Sequence, residues 1–103
     1  MTKRFARIQK LVEIRGDVRA FPDTTDTIIR NAIIRALPKQ YHQVYDWVVS
    51  CYAPVNSSMV VKAWNLQQNH ASTILNELWQ FGLLTRTEYT DEHGKGYKYT
   101  VAD

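Results

Sequence analysis

The chain has a single cysteine, Cys51, which excludes an internal disulfide and any site built from several thiolates. It lies among Val48, Val49 and Tyr52 in a helical pattern, the setting of a small buried hydrophobe rather than a reactive thiol. No stretch approaches the roughly 20 apolar residues of a membrane span. The opening Met1-Thr2-Lys3-Arg4-Phe5-Ala6-Arg7 lacks the apolar core and small-residue cleavage site of a secretory signal, so the expected compartment is the cytosol. Internal repeats and low-complexity tracts are absent. So are a phosphate-cradling glycine loop, a serine-histidine-acid arrangement and a paired-carboxylate motif, which argues against an enzyme. His42 and Asp46 have a spacing that suits a metal, yet nothing nearby completes the three or four ligands a site needs; no metal and no cofactor are expected.

What remains is a chain of 103 residues, 45% hydrophobic, enough for one domain around one core. Its net charge is +3, and the location of that charge matters more than its size. Residues 1–20 hold six basic side chains against two acidic ones, a local excess of +4, while the rest carry seven against eight, a net of −1. The positive excess is therefore concentrated at the amino-terminal end.

The expected organisation is a basic arm or short extension over residues 1–22, followed by a domain over 23–103. In the first twenty residues, Phe5, Ile8, Leu11 and Val12 fit a helix face, whereas Val12, Ile14, Val18 and Ala20 around Arg15-Gly16-Asp17 fit short strands. The reading favoured is a partly helical arm with Arg15-Gly16-Asp17 as a turn; those three letters match an adhesion motif, but a chain without a secretory signal has no route to an extracellular receptor. After Pro22, with Asp23, Thr24 or Thr25 available as cap, a helix is expected to about Leu37 with a stripe of Ile28, Ile29, Ala32, Ile33, Ala36 and Leu37. Pro38 ends it and suits the start of a helix over about Lys39 to Tyr52, with Tyr41, Val44, Tyr45, Val48 and Tyr52 on one face and Trp47 and Cys51 on a partly covered neighbouring stripe.

Ala53-Pro54-Val55-Asn56 breaks that helix and supplies a short extended segment before a cap at Ser57 or Ser58. A short helix within Ser57 to Leu66, a tight turn, and a second amphipathic helix that begins near Gln67 and is stopped by Gly82 follow. Gly82 fits the left-handed position that closes a helix. Leu83 to Tyr89 and Tyr97 to Val101 then read as two strands around a turn-rich tip at residues 90–96. The fold class is mainly α with a small β-hairpin.

This order, with the Ser57/Ser58 start, Val61, Leu66 at the turn, Ala71, Leu75, Leu78, Phe81-Gly82-Leu83 and the Gly94-Lys95-Gly96-Tyr97 tip, resembles the winged helix-turn-helix domains of small MarR-like and ArsR-like transcription regulators. The resemblance covers roughly residues 23–101 and implies a three-helix core, a wing and an amino-terminal extension. Carried over position by position, it makes Met59 to Asn65 the supporting helix and Gln68 to Phe81 the recognition helix, with Ala71, Leu75, Leu78 and Trp79 towards the core. The implied function is sequence-specific binding of double-stranded DNA by a transcriptional regulator, the recognition helix in the major groove and the wing on the backbone or minor groove.

The groove-facing set is then Gln67, Gln68, Asn69, His70, Ser72, Thr73 and Asn76, side chains able to reach base edges or phosphates. One departure stands out: this helix has no Lys or Arg, whereas relatives commonly place basic residues there. Phosphate contacts fall to Lys62, to Arg86, Lys95 and Lys98 in the wing, and to Lys3, Arg4, Arg7 and Lys10 in the arm. Alternatives are a winged-helix protein-interaction module using the Trp47 stripe, or an accessory DNA-binding domain in replication or a mobile element. A homodimer through residues 1–52 is expected, because the chain ends two residues after the return strand and has no carboxy-terminal dimerisation helix.

Overall fold

The computed structural model describes residues 5–18, 23–92 and 94–102, so the predicted arm contacts Lys3 and Arg4, together with His93, lie outside the described residues. It is mainly helical, with a two-stranded antiparallel hairpin. No helix among the described residues is long and apolar enough to cross a membrane. The chain groups into two compact units, Met1–His42 and Gln43–Asp103.

In the first unit, α1 (Ala6–Val18) packs on α2 (Asp23–Ala36). Phe5, Ile8, Ile29, Ile33, Leu37 and Tyr41 are buried, and the rings of Phe5 and Tyr41 meet in a tilted pair 5.6 Å apart. The Arg15-Gly16-Asp17 turn is not formed; all three residues lie inside α1. Phe5, Ile8 and Arg15 recur at helical spacing, and Arg15 sits buried with its Nε 2.8 Å from Oδ1 of Asp26 on α2. A tertiary ion pair thus overrides the local turn signal of Gly16. The strand alternative fails with it, since Ile14 is exposed. On α2, Ile29, Ile33 and Leu37 follow a four-residue rhythm; Ile28, expected in that stripe, is displaced by one residue, about 100° of helix rotation, and stands exposed.

The helix α3 (Lys39–Cys51) opens after Pro38, whose carbonyl accepts from the amide of His42. Tyr41, Val44, Tyr45 and Val48 are buried as their spacing predicts. Tyr52 is not: it adopts φ 54°, which takes it off the helix, and its side chain is 94% exposed. Cys51 is half-buried rather than enclosed.

In the second unit, Val55 pairs antiparallel with Tyr99 through amide-to-carbonyl bonds in both directions, 2.9 and 2.7 Å, which accounts for the extended segment expected there. The next helix, α4 (Ser57–Trp64), is capped by Asn56 instead of Ser57 or Ser58: Asn56 has extended backbone, and its Oδ1 accepts from the amide of Met59. Asn65 closes α4 in the left-handed conformation. Leu66 and Gln67 complete the turn into α5 (Gln68–Gln80), whose buried stripe is Ala71, Ile74, Leu75 and Leu78.

The end of α5 forms a Schellman motif. Gly82, at φ 79°, donates to the carbonyl of Trp79, and the Leu83 amide reaches that of Leu78. The hairpin β1 (Leu84–Asp91) and β2 (Gly94–Val101) pairs continuously from Leu84↔Val101 to Asp91↔Gly94. The loose tip expected at residues 90–96 is therefore narrowed: Thr90, Asp91, Gly94, Lys95 and Gly96 lie in paired strands. Aromatic packing explains the extension of pairing through Gly96, because the Tyr89 ring covers the face of that glycine, leaving only 3.1 Å to where a Cβ would stand.

Candidate functional site

The spacing of α5 decides which side chains it can offer. With Ala71, Ile74, Leu75 and Leu78 fully buried, the opposite arc is fixed, and Gln67, Gln68, Asn69, His70 and Thr73 are exposed. Ser72 and Asn76 lie half-buried at its margins. The expected polar face is thus assembled on one helix, apart from Trp79. That residue does not enter the core; it is half-buried and carries a guanidinium on its ring.

Several of these polar groups are engaged with the protein itself. The Gln68 amide donates to the hydroxyls of Ser57, on α4, and of Ser72, one turn along α5. This ties the beginnings of the two helices together. Thr73 turns its hydroxyl back to the carbonyl of Asn69, 2.8 Å away. Gln67 occupies the cap position of α5 without a side-chain bond to the helix's first amides. The positive end of the helix dipole is therefore not masked by its own cap.

The wing cations separate by strand alternation. Arg86 and Lys95 belong to the face shared by Tyr97 and Tyr99, while Lys98 belongs to the opposite face with Tyr89. Lys95 and Lys98 are exposed, and the ammonium of Lys98 stands 5.1 Å over the Tyr89 ring. Tyr89 in turn accepts a long hydrogen bond from Nδ2 of Asn56, linking the hairpin to the cap of α4. Lys62 is exposed on α4. In the first unit, Arg7 and Lys10 are exposed on α1.

Arg86 behaves differently from the lysines. Its guanidinium lies 3.5 Å from the centre of the Trp79 ring and 4.2 Å from that of Tyr97, and its Nη1 donates to Oδ1 of Asn76 at 3.1 Å. A helix residue, a hairpin residue and two aromatic plates are held as one unit. Nothing in the local sequence pattern signals this; only the register that sets Arg86 opposite Tyr99, beside Tyr97, brings it about.

Below the hairpin, Val48, Val49, Tyr52, Ala53, Pro54, Thr100 and Val101 line a mostly apolar cleft of about 360 Å³. Trp47, expected on a partly covered stripe, is half-buried. Among the described residues no group of three or more His, Cys, Asp or Glu is placed to hold a metal ion. Compared with protein-family models, with curated proteins and with solved structures, the chain gives no match.

Proposed function

We propose that residues 43–103 form a winged helix-turn-helix that binds double-stranded DNA, with α5 entering the major groove and the β1–β2 hairpin acting as the wing along the backbone or minor groove. The observation that carries this reading is the division of α5 into a fully buried apolar stripe and an opposite polar face, directly after a short helix and a tight turn and directly before a hairpin. The pairing of Val55 with Tyr99 supports it, since this single bridge ties the segment before α4 to the wing. The uncapped start of α5 supports it too: amides and helix dipole there supply positive potential that the helix's side chains do not. Transcriptional regulation is the role this reading favours.

The test is titration of labelled duplex DNA with the folded chain across a salt series, followed by anisotropy. Binding that weakens only shallowly with salt is expected, because few side chains are placed to neutralise phosphates. A folded protein that leaves duplex unbound even at low ionic strength ends the proposal.

A second reading, a protein-interaction module, draws on a separate observation: the exposed Val49 and Tyr52 beside the apolar cleft that ends at Val101. A pull-down that recovers protein and no nucleic acid would favour it.

A further inference from the structure

An asparagine that reads bases freely offers one donor and one acceptor side by side, the pattern that matches adenine N7 and N6. Asn76 is not free in this sense. Its oxygen already accepts from Arg86. The assignment of that oxygen follows from chemistry, because a guanidinium has only donors and the amide atom facing it must be the acceptor.

Two features make the bond persistent. The Arg86 guanidinium lies against the rings of both Trp79 and Tyr97, and these two contacts hold it beside Asn76. Both partners are also half-buried, which limits competition from water. One lone pair on the Asn76 oxygen remains, but a second donor approaching it meets the positive charge already seated there. The amide nitrogen and the outer guanidinium edge are left, and both only donate.

We propose that Asn76 and Arg86 act as one donor-only unit that selects guanine, through its O6 and N7 acceptors, at one base pair of a DNA site, and that Arg86 prevents Asn76 from selecting adenine. This rests on the DNA-binding reading above. Asn76 is the base-reading residue; Arg86 both positions it and sets its polarity.

The experiment is selection of preferred sites from a random duplex pool by the full chain and by variants whose folding is checked by circular dichroism. Asn76→Ala should erase the preference at one position only, and that position should carry guanine in the sites of the unsubstituted protein. Arg86→Met, which keeps bulk against the two rings and removes every donor, should turn the same position to adenine, with guanine disfavoured by about tenfold. Asn76→Asp keeps and strengthens the bond to Arg86, so it folds, but it replaces the donor with an acceptor and should abolish guanine preference even if Arg86→Met does not fold.

Adenine at that position in the sites of the unsubstituted protein would overturn the proposal, as would guanine retained by Arg86→Met. Uniform weakening by Asn76→Ala with no change in base preference would also overturn it, since that is the behaviour of a phosphate contact. Failure to select any duplex would instead remove the DNA-binding reading on which the proposal stands.

Discussion

Tyr52 is held in a backbone region that costs a residue with a side chain on the order of 1–2 kcal/mol relative to glycine. Its ring is 94% exposed and recovers little of this by burial. Replacement by glycine relieves the strain at the expense of some unfolded-state entropy, so Tyr52→Gly should raise stability by about 0.5–1 kcal/mol in urea denaturation. A fall in stability would mean that the ring is engaged by something that repays the strain. Arg15 presents the opposite situation, a charge almost wholly removed from water beside Asp26, which keeps about 29% of its side-chain surface exposed. Breaking a fully buried pair from one side costs about 3–5 kcal/mol; partial exposure of Asp26 reduces the expectation for Asp26→Ala to about 2 kcal/mol. The double substitution Arg15→Met with Asp26→Leu should lose less than Asp26→Ala alone, because it removes the buried charge together with its ion-pair partner. A larger loss for the pair than for the single change would refute that account.

At the scale of elements, the cap of α4 tests how the second unit is joined. Asn56 satisfies the Met59 amide with its oxygen and reaches the Tyr89 hydroxyl with its nitrogen. Asn56→Ala should cost about 1 kcal/mol, most of it the cap, while Asn56→Asp retains the cap and should cost only a few tenths. Equal losses for the two would place the weight on the Tyr89 bond instead. The helices and the hairpin were legible in the sequence because their signals are local: Pro38 before α3, Gly82 after α5, and an apolar rhythm of four and then three residues through Ala71, Leu75 and Leu78. The misreadings came where distant partners decide the outcome. Gly16 suggests a turn until Asp26 holds Arg15 in a helix; Gly94 and Gly96 suggest a loose tip until the Tyr89 ring covers the strand. Trp79 reads as core by spacing, and only the guanidinium of Arg86 on its ring shows why it stops at the margin. The polar face of α5 was visible in the sequence, whereas its internal bonds, from Gln68 to Ser57 and from Arg86 to Asn76, were not.

For the whole molecule, electrostatics divide the chain more sharply than composition suggests. Residues 1–42 carry nine basic and four acidic side chains, a net of +5, while residues 43–103 carry four basic and six acidic ones, a net of −2. The unit proposed to read bases therefore has little long-range attraction for a polyanion, and Arg86 is committed to its aromatic contacts. Lys62, Lys95 and Lys98 alone would give a salt dependence of roughly 3 in log K against log salt, at about 0.9 per neutralised phosphate. Arg7 and Lys10, both exposed on α1, raise the expectation to roughly 4.5 if they also neutralise phosphates, as the concentration of positive charge in the first unit argues. Replacing Arg7 and Lys10 together with alanine should therefore lower the measured slope by about 1.8 and weaken all duplexes alike, without altering sequence preference. A slope left unchanged by that substitution would confine the contacts to residues 43–103, and a net negative unit would then have to hold DNA through three lysines and the amino-terminal end of α5.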